Sequence, residues 1–332
     1  MVVGRNVAPT KFVLPLFSAA GRFNAPAKSA LPSSMTVVNM MALRHSAFYS
    51  PFLMTMAGGF LKEEGLEYNY RLATPENTVA DSIIDGSCHL AQSAVATSFS
   101  ALEAGNTNPF VHFAQINNRD GFFIASRKPE PNFSWQHLKH KKVLVDHFFQ
   151  PYAMLKYGLH QQGVSFSDFT VIDAGDVDAI KQAFLNGDAD YVHMQGPVPQ
   201  QLALEEKAFV IAAVGEAVGP VAFSSLCASP QWLETDMAKV FMKAYKHAST
   251  FVLAAPAEEI AAKEIEAGFF PDINPQILAD TIQAYQSLNC WNEDPIIPED
   301  SYNNLLDVFE YNHLVTERYG YNELIAQPPS IF

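Results

Sequence analysis

Apolar and polar positions along this chain change period in a regular order. Thr36 to Leu43 (TVVNMMAL) is an apolar, β-prone run that suits a buried strand. Pro51 to Gly65 then reads as a helix, with a proline suited to the first turn, a polar last turn from Lys62 to Glu64 and a glycine just beyond. Leu66 to Ala73 alternates like a strand, Glu76 to Gly86 reads as a helix stopped by its glycine, and His89 to Val95 (HLAQSAV) is a strand running into a loop. The order β-α-β-α-β predicts a parallel sheet covered by helices on both faces, because parallel strands need crossovers.

The same order returns about a hundred residues later, a spacing too long for a solenoid repeat. Lys141 to His147 is strand-like, Pro151 to Gly163 is a helix, and Asp168 to Gly175 is a strand. Asp176 caps a helix that ends at Gly187, and Asp190 to Gly196 is the closing strand. Phe122 to Pro129 reads as a strand leading from the first unit to the second, and Phe223 to Leu233 as the strand that returns. The remainder is helical in pattern. The fold predicted is α/β with two lobes, each a mostly parallel sheet flanked by helices. Lobe one comprises about residues 36–122 and 226–332, lobe two about 123–225, and a ligand cleft lies between them. Ligands of open parallel sheets sit at the C-terminal strand ends, where loops and helix N-termini offer backbone donors.

Composition narrows the function. Of the 332 residues 48% are hydrophobic and 17% charged, the mix of a folded globular protein, and the net charge of -14 argues against nucleic acid as a partner. The one short basic run, Lys139 to Lys142, reads as a solvated flank before a strand. Cys88, Cys227 and Cys290 are widely spaced and form no CxxC, and no histidine pair stands at metal-ligand spacing, so neither a metal nor another cofactor is expected. The glycine-rich and nucleophile-elbow motifs of nucleotide-binding proteins and hydrolases do not occur. Residues 1–34 carry four basic and no acidic side chains, the apolar run Phe12 to Ala20 and the small-residue stretch Ala25-Pro-Ala27. They are read as an export leader, with a disordered extension as the alternative.

The segment from Thr36 to Tyr70 resembles the opening of type II periplasmic substrate-binding proteins of the nitrate/sulfonate/taurine group and their thiamine-pyrimidine relatives. Gly59 to Leu66 (GFLKEEGL) stands for the family's "G-Y-F-K-E-x-G-L" phrase. Gly86 to Ala91 looks like its "G-x-x-D" segment, with His89 where Asp is usual, whereas the later copy keeps Asp190. The resemblance covers about Thr36 to Ala255. It implies the two-lobed fold, a small-molecule ligand of planar or anionic organic type, a protein acting as a monomer, and delivery to the membrane subunits of an ABC importer. A cytoplasmic enzyme of the thiamine-pyrimidine-synthase type and a sensor without a transporter are the alternatives. Fungal-type synthases of that kind carry a Cys-rich stretch, a lysine that holds pyridoxal phosphate and a reactive histidine. This chain has Val221 to Cys227 (VAFSSLC), Ser93 and Thr97 at the matching places. A desulfinase branch uses a cysteine where Ser46 stands, so catalytic residues are not expected.

Candidate ligand residues follow from the strand ends. After the first strand, Arg44 offers a five-donor fork for an oxyanion, His45 a second donor, and Phe48 and Tyr49 stacking faces. Gln92, Ser93 and Thr97 follow the third strand. Asn117 lies near the first crossing, Asp146, His147 and Phe148 leave the first strand of lobe two, and Gln195 ends the later copy, beside a glycine that permits close approach.

Overall fold

A computed structural model describes residues 36–330; the leader reading for residues 1–34 lies outside the described residues. The first half runs β1 (Thr36–Ala42), α1 (Ser50–Ala57), α2 (Phe60–Glu63), β2 (Leu66–Leu72), α3 (Val79–Ile84), β3 (Leu90–Ser93), α4 (Val95–Glu103) and β4 (Val111–Asn117). The chain then crosses into β5 (Phe122–Ser126), β6 (Lys142–Val145), α5 (Phe149–Gln161), β7 (Thr170–Ile172), α6 (Val177–Asn186), β8 (Tyr191–Gln195), α7 (Val198–Leu204), β9 (Phe209–Ala213) and α8 (Val214–Val218). It returns through β10 (Ser224–Ala228) and α9 (Pro230–Leu233) to the helices α10 (Asp236–Ala254), α11 (Ala257–Glu266), α12 (Pro275–Ser287), α13 (Glu299–Tyr311) and α14 (Tyr321–Leu324).

The two sheets have the same layout, β2-β1-β3-β10-β4 and β7-β6-β8-β5-β9. In the first, β1 is parallel to β2 and β3, while β10 is antiparallel to β3 and β4. In the second, β6 is parallel to β7 and β8, while β5 is antiparallel to β8 and β9. Each sheet therefore has one antiparallel strand, and it is the one the chain enters directly from a crossing. Strands β4 and β9 were not legible in the sequence. The two crossings run side by side: Val221 N–H donates to Asn118 O at 2.8 Å and Phe223 N–H to Asn117 O at 3.2 Å.

The repeat extends to single hydrogen bonds. Asp190 accepts the Lys142 N–H at 3.0 Å and so fixes β8 beside β6. In the first lobe the unprotonated Nδ1 of His89 accepts the Asn39 N–H at 3.0 Å and fixes β3 beside β1 in the same way. The histidine at the unusual position preserves the acceptor.

The expected single helix from Pro51 to Gly65 is broken. Gly59 has φ +79°, a left-handed conformation that ends α1 and caps α2. The helix expected from Glu76 is shorter and starts behind Thr78, whose hydroxyl accepts the Asp81 N–H. Phe223 to Leu233 divides into strand β10 and the short helix α9. The Asp176 cap is as expected: its carboxylate accepts the Ala179 N–H at 2.9 Å, and Gly187 at φ +97° closes α6. Replacing Asp176 with Ala is expected to cost about 1 kcal/mol in denaturant unfolding, with α6 fraying from its N-terminus; an unchanged midpoint would show that the cap carries no stability.

All three cysteines are buried free thiols, and Cys227 lies on β10. Among the described residues no helix is long and apolar enough to cross a membrane.

Candidate functional site

The C-terminal ends of β1, β3, β6 and β8 meet between the two sheets, and the chain just beyond them lines two adjoining cavities. The outer one, of about 320 Å³, is bounded by Arg44, His45 and Ser46 after β1, Asp146 after β6, and Gln195 to Val198 after β8, with apolar walls from Val177, Phe270, Ile273 and Leu278. The inner one, of about 40 Å³, lies between Tyr49, Gln92, Phe122, Phe148, Gln150 and Ser224. Arg44 and Gln195 border both.

Arg44 stands apart from the other described arginines. Arg71, Arg119, Arg127 and Arg318 each donate from the guanidinium to a protein oxygen. The Arg44 guanidinium makes no such bond; it lies 4.2 Å above the Phe148 ring, and the backbone at Arg44 is pinned by its N–H to Gln92 Oε1 at 3.2 Å. Stacking holds the plane of the fork and leaves its edge donors free. Tyr49 is buried, which pushes its phenol up to about 12 despite the pull of Arg44 and a hydrogen bond to Gln195. It is therefore a neutral donor and acceptor in the inner cavity. Asp146, which borders the outer cavity, is 8% exposed; its Oδ1 accepts the Phe148 N–H at 2.8 Å and its Oδ2 has no hydrogen-bond partner in the protein.

Several expected contacts are placed differently. His45 borders the outer cavity, but its Nδ1 meets the Tyr70 hydroxyl at 2.9 Å and its Nε2 the Phe269 carbonyl at 2.8 Å. Burial lowers its pKa, with the Phe269 carbonyl opposing. A neutral ring with both nitrogens engaged anchors the loop that carries Phe270 and is not a second oxyanion donor. Phe48 is fully buried against Tyr285 and Phe223 and belongs to the core. The Asn117 amide donates to Phe48 O at 2.7 Å and accepts from Ser224, which makes it a brace of the crossing.

Ser93 and Thr97 bond to each other at 3.0 Å and border a separate cavity of about 460 Å³ between α3 and α4, with Thr78 and Asn108. They do not line the cavities that Arg44 borders. His147 folds back on Val145 O at 2.8 Å and packs on Tyr152. Gly196 does permit a close approach, but to protein: a Cβ there would sit 2.8 Å from Thr281 and 2.9 Å from the Tyr285 hydroxyl. Gln92, Tyr49, Asp146, Phe148, Gln195 and Arg44 are the expected residues that the fold brings together.

The apolar wall from Phe270, Ile273 and Leu278 was missed. These residues sit at and just after the α11–α12 connection, far along the chain from the lobes' strand ends. Their one signal is the apolar pair Phe269-Phe270 in an otherwise turn-like stretch, FFPDIN. No group of His, Cys, Asp and Glu that could hold a metal ion occurs among the described residues.

Two like-patterned sheets, linked by paired crossings with a polar cleft at their strand ends, define the type II periplasmic-binding-protein superfamily. Within it the chain belongs to the NMT1/THI5-like family, whose model matches residues 47–259. It is 26% identical over 302 residues, 88% of each chain, to the candidate binding protein YtlA of Bacillus subtilis (strain 168). Its fold is similar to that of the periplasmic aliphatic sulphonate binding protein SsuA from Escherichia coli, with a TM-score of 0.68 at 15% identity over 88% of this chain and 98% of that one. The alkanesulfonate-binding protein SsuA from Xanthomonas axonopodis pv. citri, solved bound to MOPS, gives a TM-score of 0.64 at 14% identity over 89% of this chain and 100% of that one.

Proposed function

We propose that this protein is the substrate-binding component of an ABC importer, that it is exported, and that it captures a small organic ligand between two lobes without chemically changing it. The observation that carries the reading is the Arg44 guanidinium, free of protein acceptors where the two sheets' strand ends meet. A cation kept in a fixed orientation without a protein partner serves a ligand oxygen better than it serves stability.

The bodies that close are about residues 36–122 with 226–332, and 123–225; closure follows because only the closed form makes both sets of contacts. The reading without catalysis rests on the residues around the inner cavity, where Phe223 and Ser224 occupy the stretch matching the synthase's Cys-rich segment. The similar folds of an alkanesulfonate-binding protein and of a periplasmic aliphatic sulphonate binding protein support the transport role, and the second supports the exported location.

The test is a thermal-shift screen of the full chain against sulfonates, nitrate, aminopyrimidines, amino acids and aromatic acids. One class should raise the melting temperature by mass action and be recovered unchanged. Arg44→Gln should weaken that ligand by about a hundredfold, the scale of losing two charge-assisted hydrogen bonds, with the unliganded melting temperature close to wild type. Turnover of the ligand, or pyridoxal phosphate absorbance in the purified protein, overturns the reading.

A further inference from the structure

We infer that the ligand is a zwitterion with an apolar body: a molecule that carries an oxyanion at one end, an ammonium group at the other, and hydrocarbon between. This rests on the binding-protein reading above and deepens it. Arg44 and Asp146 border the same cavity of about 320 Å³ from opposite sheets, yet they form no ion pair with each other. Opposite charges that border one cavity without pairing gain most when a ligand supplies a counter-charge to each.

A simple anion fits this arrangement poorly. It would pair with Arg44 but bring its charge toward the free Oδ2 of Asp146, and a desolvated carboxylate without a partner carries a large penalty. The only other ionisable side chain at the cavity is His45, whose nitrogens are engaged by Tyr70 and by the Phe269 carbonyl, so it supplies no second cation. With one free cation and one carboxylate, the described lining suits a ligand of zero net charge. Much of the remaining wall is Val177, Val198, Phe270, Ile273 and Leu278, which offer a ligand's hydrocarbon nothing polar to bond. The inner cavity adds neutral donors and acceptors from Gln195 and Tyr49 beside Arg44, a setting for the two oxygens of the anionic end.

Matched ligand sets separate the contributions of the two ends. Titration calorimetry on the full chain compares apolar α-, β- and γ-amino acids with the same skeletons lacking the amine and lacking the acid, for example leucine, 4-methylpentanoate and isopentylamine. A parallel arm compares aminoalkanesulfonates with alkanesulfonates and so tells a carboxylate end from a sulfonate end. In whichever arm binds, the zwitterion is expected to exceed both of its half-ligands by about tenfold to a hundredfold, the loss typical of one charged hydrogen-bonding group.

Asp146→Asn should reverse the preference, binding the amine-free acid at least as tightly as the amino acid, because the repulsion has gone while the Phe148 N–H still finds an oxygen. An amine-free acid or alkanesulfonate that binds wild type as tightly as its amino counterpart overturns the zwitterion and leaves the binding-protein reading standing. So does an Asp146→Asn variant that keeps the wild-type preference. If neither these ligands nor those of the wider screen bind, both readings fail together.

Discussion

The unfolding free energy of this protein is expected to fall by about 1.5–2 kcal/mol as the pH rises from 6.5 to 8, with Glu264 the largest source of the loss. Glu264 lies on α11 with no exposed surface, and neither carboxyl oxygen has a hydrogen-bond partner. Burial, opposed by the nearby Ser50 hydroxyl, pushes its carboxyl up from 4.5 to about 8. Ser50 spends its proton on Ala47 O at 2.7 Å and cannot neutralise the charge. Because the folded pKa is the higher one, the native state binds the extra proton. That contribution is complete below about pH 4.5 and is lost as the pH climbs through 8.

Asp120 behaves in the same sense over a lower window. Burial raises its carboxyl from 3.8 to about 7, with the Phe122 N–H opposing, and its Oδ2 is unpartnered. Two buried histidines act in the opposite direction. His112 and His193 are each lowered from 6.5 to about 3, chiefly by burial, so their contribution is lost as the pH falls through that range. Acids and histidines offset one another below pH 6.5; above it the histidines still recover a few tenths of a kcal/mol each up to about pH 7.5, and the larger acid terms set the sign. Urea unfolding of Glu264→Gln across pH 5 to 9 should show the fall between 6.5 and 8 reduced to below about 1 kcal/mol, the share left to Asp120. A variant with the wild-type slope would mean that Glu264 is charged in the native state.

The second large effect is expected at Gly215, in α8 beside the first crossing. A Cβ there would lie 2.4 Å from the Asp120 carbonyl oxygen and 3.1 Å from Arg119 Cβ. The nearest atom is backbone and cannot rotate away. Arg119 also donates from its guanidinium to the Gly215 carbonyl at 3.3 Å, so the two segments are held at this distance from both sides. Gly215→Ala should therefore cost about 2–3 kcal/mol, despite alanine's better helix propensity, because α8 must move off the crossing. Ligand binding should weaken as well, since Asp120 leads directly into β5 and its neighbour β8 ends at Gln195. A stability within about 0.5 kcal/mol of wild type would show that the crossing yields cheaply.

Most of the strands and helices were legible because their apolar period is local: β1 is a mostly apolar, β-prone run, and α6 lies between a capping aspartate and a left-handed glycine. The doubling of that order predicted two lobes and placed the cleft at their strand ends. Arg44, Asp146 and Gln195 were legible for the same reason, since the residue that follows a strand's C-terminal end is set by strand length. The breaks were less visible. Gly58-Gly59 divides a helix that the apolar period alone would continue.

Chain order and local pattern thus determined by themselves that this protein is a two-lobed α/β protein, with a cleft whose first loop carries an arginine. Tertiary structure alone decided which of the polar residues remain available. His45 and Asn117 are consumed by Phe269 and Phe48, more than two hundred and almost seventy residues away in sequence, while the Arg44 guanidinium meets no protein acceptor. A side chain's residual hydrogen-bonding capacity depends on every atom that packs around it, and those atoms come from segments whose meeting no local period encodes.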